Sequence, residues 1–241
     1  MIIEICVENF HSAVIAQNAG AQRIEICSAL ALGGLTPDIG FVEAVADKIK
    51  IKKYVMIRPR NGNFLYNEYE FENIMKNIKI IKKYKIDGFV CGILTKEGNV
   101  DDKKMKIITE EIYPFNMTFH RAFDCTVNLY EAAESIINLG IERILTSGGK
   151  NTAEEGIENI KKINDKYGSE VKIMAGSGIS AENVLEIASA GVKEIHFSAK
   201  KKIPVKSLKN IRMGNSEEEY FNLADEKIIK EIKIKTNGKI L

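Results

Sequence analysis

Short apolar runs alternate with amphipathic stretches along the whole chain. The runs begin near Ile2, Arg23, Tyr54, Asp87, Met117, Arg143, Val171 and Glu194, so successive starts lie 21 to 33 residues apart. Each interval has room for one strand, one helix and two loops. The stretches between carry the helical period. Phe71, Ile74, Met75, Ile78 and Ile81 form one apolar stripe. Leu129, Ala132, Ala133, Ile136 and Ile137 form a second, and Ile157, Ile160 and Ile163 a third. The phrases "NAGAQRI", "NLGIERI" and "SAGVKEI" repeat one ending, in which Gly20, Gly140 or Gly191 closes a helix before the next strand. In "LTPDIG", Thr36 is the expected cap and Pro37 the first helical residue.

Eight strand–helix units predict an α/β fold, a closed (β/α)8 TIM barrel in one domain over residues 1–236. An open doubly wound sheet is the alternative. It needs fewer units and often a Gly-rich first turn, and "CVENFHSA" after the first strand has none. A last helix is expected around Ala224–Lys235. Residues 201–222 before it read as an irregular segment, a lid or a contact surface. Residues 237–241 read as a tail.

Composition narrows the function. The chain has 241 residues, 45% of them hydrophobic and 28% charged, with a net charge of +2. Its lysines are spread over helix faces rather than gathered beside aromatics, which speaks against nucleic acid. No run of 18 apolar residues predicts a membrane span. The first residues carry no secretory pattern. Cys6, Cys27, Cys91 and Cys125 have no CxxC spacing and read as reduced thiols. Cys91 and Cys125 read as small buried hydrophobes.

In such barrels the active site lies at the C-terminal strand ends. Glu4, Glu25, Arg58, Arg60, His120, Arg121, Asp124 and His196 all fall there. Alternation puts Glu4 with Cys6, Glu25 with Cys27, and Arg58 with Arg60 on shared faces. Helices cover the outside, so the glutamates are expected in the lumen, neutralised by Arg58. Taken alone they could be a structural salt-bridge layer. Together with the rest of the rim they form an acid–base cluster: Glu4 or Glu25 as base, His120 as acid or hydrogen-bond donor, Arg58 stabilising developing negative charge, and Asp124 beside them.

Strands six to eight add "TSGG", "AGSGIS" and "HFSAK". Ser147, Gly148, Gly176, Ser177, Gly178 and Ser198 give an expected anion or phosphate grip, since small residues let backbone N–H groups approach a negative ligand. Cys6 and Cys27, roughly 5 Å apart if paired across neighbouring strands, could hold a soft ion such as Cu(I).

These phrases resemble the CutC family: "EICVEN", "AQRIEICS", "GGLTPDIG", "VMIRPR" with "GNFLY", "DGFVCGILT", "MTFHRAFD", "ERILTSGG", "GSGI" and "EIHFSAK" run in order over about residues 2–200. "SLKNIRMGN" is similar to the family's segment before the last helix. The resemblance implies a TIM barrel, a cytoplasmic setting, a homodimer or higher homo-oligomer, and an association with copper homeostasis. It implies no particular reaction. Ser177 stands where the family commonly has Gly, and Lys200 where it has Arg, which keeps the charge but loses a bidentate fork. The reading is a TIM-barrel enzyme acting on a small phosphorylated or carboxylated molecule, its reaction left open and no cofactor assigned. The alternative is a Cu(I)-binding protein using Cys6 and Cys27 without catalysis.

Overall fold

The computed structural model describes residues 1–205 and 220–238. Eight parallel strands close into a barrel in sequence order: β1 (Ile2–Val7), β2 (Arg23–Ile26), β3 (Lys52–Met56), β4 (Gly88–Cys91), β5 (Asn116–Phe119), β6 (Arg143–Thr146), β7 (Lys172–Gly176) and β8 (Glu194–Phe197). Helices α1 (Phe10–Asn18), α2 (Ile39–Lys48), α3 (Glu68–Ile81), α4 (Asp102–Ile112), α5 (Leu129–Asn138), α6 (Ile157–Tyr167) and α7 (Val184–Ser189) follow the first seven strands in turn. The expected (β/α)8 barrel is the observed fold.

Side-chain alternation splits every strand between two cores. Ile3, Ile5, Val7, Ile24, Ile26 and Val55 join the main core under the helices. Cys6, Cys27, Tyr54, Met56 and Val90 form a second, small cluster inside the lumen. The helix stripes turn inward as the periodicity requires, with Ile74, Ile78 and Ile81 of α3 and Ile160 and Ile163 of α6 buried. Gly20, Gly140 and Gly191 sit at φ of +85°, +70° and +83°, the left-handed region where a side chain would be strained.

Three local expectations change. Helix α2 starts later than "LTPDIG" suggested. Asp38 is its cap and accepts from the Phe41 N–H at 2.9 Å, because Thr36 is engaged elsewhere, exchanging hydrogen bonds with the Arg58 backbone at 3.1 and 2.9 Å. Cys125 is exposed, since it lies in a 3-10 turn outside the strand and not in a core. The ends of the segment expected to be irregular are ordered: β9 (Lys200–Pro204) pairs antiparallel with β10 (Tyr220–Ala224). Residues 206–219, which include all of "SLKNIRMGN", lie outside the described residues.

The β9–β10 pair leads into α8 (Glu226–Asn237), which covers the first unit together with α1 and α7. Asn222 bridges back to the start of the chain, donating to Glu8 Oε1 at 2.7 Å while its carbonyl accepts from Asn9 at 2.8 Å. Thr236 is buried against this barrel, and residues 239–241 of the expected tail lie outside the described residues. No described helix is long and apolar enough to cross a membrane.

Candidate active site

The lumen is layered by charge. At its floor, Arg23 of β2 pairs with Glu4 of β1 and with Glu194 of β8, and Arg143 of β6 pairs with the same Glu194 at 2.6 Å. Both guanidinium groups lie over the Tyr54 ring, 5.1 and 5.3 Å from its centroid. All of these side chains are almost wholly out of water. Burial alone would raise the Glu4 carboxyl, but Arg23, His196 and Arg143 outweigh it and hold it down at about 2. The partner of Glu4 is therefore Arg23 and not Arg58. Arg23 and Glu194 sit at the starts of their strands, and a search of strand ends passes over them.

The next layer up holds the reactive groups. β1 and β2 are staggered so that Glu4 stands level with Arg23, and Cys6 with Glu25. Glu25 is 2% exposed, and its Oε2 has no hydrogen-bond partner. Burial, reinforced by Glu4 and only partly offset by His196 and Arg23, pushes its carboxyl up to about 7. His196 of β8 stands beside it, with Nδ1 2.7 Å from Glu4 Oε1. Burial works against the charged imidazole, but Cys6, Glu25 and Glu4 together prevail and raise it well above its ordinary value. Acceptor and donor atoms of Glu4, Glu25 and His196 lie within 4.8 Å of one another. Glu4 is already committed to Arg23 and His196, so the trio is an ion-pair network rather than a cation cage.

Across the mouth, His120 is buried and neutral. Burial first, then Arg58, lowers it to about 3. Its Nδ1 accepts from the Ala122 N–H at 3.2 Å, which places the proton on Nε2. Gly92 makes the ring's seat, because a Cβ there would fall 2.7 Å from His120 Nδ1. Arg58 donates to the carbonyls of Leu32, Gly34 and Gly62 at 2.8, 3.1 and 3.1 Å. Strand alternation does not carry Arg60 to the same face, because β3 ends at Met56. Arg60 turns back along its own loop to Glu70 and the Tyr66 ring.

Asp124 lies in the cavity wall but has no acceptor capacity left. It accepts from Thr146 Oγ1 at 2.5 Å, from Ser147 N at 3.0 Å, from Gly149 N at 2.9 Å and from Arg121 Nε at 2.9 Å. It shapes the loop after β6 and aims Arg121. Ser147 and Gly148 are taken up in the same loop: Ser147 by Asp124 and Arg121, and Gly148 by close packing on the Gly156 carbonyl. Gly176 is glycine because Leu145 approaches it; a Cβ there would lie 2.6 Å from Leu145 Cδ1.

Two cavities open over these groups. One, of about 500 Å³, is walled by Met56, Phe64 and Leu145 and reaches Arg58, His120 and Glu25. The other, of about 610 Å³, is lined by Cys6, Ser177, Gly178, Ser198, Ala199 and Lys200. They meet at Glu25, Gly33, Arg121 and His196, which line both. Ser177 and Ala199 hold φ of +79° and +45°, so both loops are fixed in a conformation their side chains disfavour. Glu25, Arg58, His120, Arg121 and His196 are thus brought together, with Ser177, Gly178 and Ser198 next door. Glu4 lies beneath them, and Arg60 is outside.

A profile of the CutC family matches residues 1–201. A family protein CutC of Histophilus somni is 41% identical over 226 residues, covering 92% of this chain and 93% of that protein. One from Vibrio cholerae is 43% identical over 209 residues, covering 86% and 82%. The crystal structure of a CutC protein from Streptococcus agalactiae superposes with a TM-score of 0.78 at 31% identity, covering 82% of this chain and 98% of that one. An aldolase, QR15, at 15% identity and a TM-score of 0.61, shares the barrel alone.

Proposed function

We propose that this chain, which belongs to the CutC family, is an enzyme that moves protons on a small phosphorylated or carboxylated molecule. One observation carries the reading: Glu25 lines the cavity and keeps a buried carboxylate oxygen without a partner, with its carboxyl pushed up to about 7. A base titrating near the working pH is most effective in proton transfer. His196, held charged against Glu4, is the matching acid. The second cavity takes the anionic end, with Ser177, Gly178 and Ser198 offering small residues and Arg121 and Lys200 offering charge. The same reading keeps the cytoplasmic setting and the homodimer or higher homo-oligomer.

NMR of a panel of small sugar phosphates and hydroxy acids incubated with the protein tests this. Wild type is expected to convert at least one member, and Glu25→Gln to do so at least 100-fold more slowly. Equal conversion by the two, or none by wild type, removes the reading.

A second reading is a Cu(I)-binding protein. The Streptococcus agalactiae relative is named for copper homeostasis, and Cys6 and Cys27 share one lumen cluster. The donors suit the ion poorly. Cu(I) favours thiolates, whereas burial first, then Cys6, Glu25 and Glu8, pushes the Cys27 thiol well above its ordinary value. Cys27 Sγ instead donates to the Val7 carbonyl at 3.6 Å. In a competition titration against a Cu(I) chelator, the Cys6→Ser/Cys27→Ser variant is expected to match wild type. A loss of tenfold or more in affinity would favour the copper reading.

A further inference from the structure

Four buried side-chain polar atoms lack a hydrogen-bond partner among the described residues: Glu25 Oε2, Arg58 Nε, Tyr66 Oη and His120 Nε2. Such atoms are few in folded proteins, and each calls for an explanation. Glu25, Arg58 and His120 line the same 500 Å³ cavity, and Tyr66 lies on the loop that follows Arg58.

The unmatched atoms differ in sign. His120 Nε2 and Arg58 Nε each carry a hydrogen to donate. His120 is fixed as a donor because its other nitrogen is occupied by the Ala122 N–H. Three of the other four N–H groups of the Arg58 guanidinium go to carbonyls, and the Tyr66 hydroxyl lies against the same guanidinium. Phe64 lies against both, 4.9 Å from the His120 ring centroid and 5.0 Å from Arg58 Cζ, and so orients the pair. Glu25 Oε2 is an acceptor.

Two donors and one acceptor, beside the apolar side chains of Met56, Phe64 and Leu145, fit a carbonyl group and the acidic C–H beside it. A carboxylate or phosphate in that chamber would satisfy both donors but would stand against the Glu25 carboxylate. The anionic end belongs in the adjoining cavity, and Glu25 lies where the two meet.

Resting on the reading of Glu25 as a base, we propose that the substrate is a carbonyl compound with an anionic tail, and that His120 Nε2–H and Arg58 Nε–H hold the oxygen on which negative charge develops. In the step, the C–H bond next to the carbonyl breaks and its proton passes to a Glu25 oxygen. The C–H electron pair forms a C=C bond, and the carbonyl π pair moves to oxygen, giving an enolate between the two donors. Return of a proton from His196 to the same carbon, with the Glu25 proton passing on to the neighbouring imidazole, completes an epimerisation without any outside oxidant or reductant. A neutral imidazole suits this role, since it donates to the developing oxyanion without first losing a charge to the pocket.

The test compares two ligands with the same tail. Phosphoglycolohydroxamate mimics an enediolate, and 2-hydroxyethyl phosphate lacks its carbonyl-derived oxygens. Calorimetry on the full chain at pH 8 is expected to give at least tenfold tighter binding of the hydroxamate. The chain has only three histidines, so ¹⁵N-histidine NMR resolves the His120 Nε2 proton, which is expected to move downfield with the hydroxamate only. His120→Phe is expected to erase the preference and His120→Gln to keep part of it; the wild-type spectrum decides if a variant fails to fold. Equal binding of the two ligands with the His120 signal unmoved overturns the carbonyl site and leaves the anion-binding enzyme standing. Binding of neither overturns both.

Discussion

Replacing Arg23 with methionine is expected to destabilise the protein by about 3–5 kcal/mol, the cost of leaving buried charges without their partner. For a chain of this length that is a fall in Tm of roughly 6–20 °C. Among the described residues, Arg23 is the one cation that pairs with both Glu4 and Glu194, and both carboxylates are buried. Arg143 still reaches Glu194, so Glu4 bears most of the loss. The pH dependence follows. Glu4 is held down at about 2 in the folded state, so its contribution is present above the ordinary glutamate range and is lost as pH falls toward 2. The gap between wild type and Arg23→Met should be widest near neutrality and should narrow below about pH 4. Adding Glu4→Gln should recover part of the loss, and thermal unfolding of the four proteins measures the coupling. A gap independent of pH would show that lost packing on Tyr54, not charge, is the cause.

Glu25→Gln should behave in the opposite sense. Glu25 titrates at about 7 in the folded state, above its ordinary value, so folding favours its protonated form. Its stabilising influence is complete below the ordinary glutamate range and is lost as pH rises through 7. Wild type and Glu25→Gln should therefore match at pH 4. The variant should pull ahead above pH 7, by as much as about 3 kcal/mol if the full shift is realised. Activity should fall 10²–10⁴-fold, the usual worth of a positioned base. A protein made firmer in alkali by the change that disables it is the signature of a buried charge kept for chemistry. A stability difference that does not vary from pH 4 to 9 would refute the raised carboxyl.

The barrel was legible because eight spaced apolar runs, helical stripes and terminal glycines all point to one architecture. The rim was legible in part. Position along a strand indicates height in the lumen, so Glu25, His120, Arg121 and His196 could be placed at the mouth. Pairing could not be read, because it depends on register between strands. The neutralising layer of Arg23 and Glu194 is therefore invisible in the sequence, and so is the absence of Arg58 from it. Asp124 and Ser147 looked like site residues because they are polar and lie at strand ends. Only their hydrogen-bond partners reveal that they are spent on shaping a loop. Arg60 lies two periods of alternation past Met56, where the strand has ended, so strand periodicity says nothing of its direction.

The doubled Glu-Ile-Cys of the first two strands acquires its meaning from the stagger between them. Register sets Glu25 opposite Cys6, and Glu4 opposite Arg23. The same three letters are thus read at two depths, like one word printed on two lines of a spiral. The lower copy places its acid in a dry, paired stratum, and the upper copy lifts the identical acid to the edge of the chamber. Two glutamates of equal ordinary acidity end near 2 and near 7. A single residue of slip between β1 and β2 would turn one acid's face outward and remove the difference between them. In this barrel, the pitch of the sheet divides one repeated motif into a fixed ion and a titrating one.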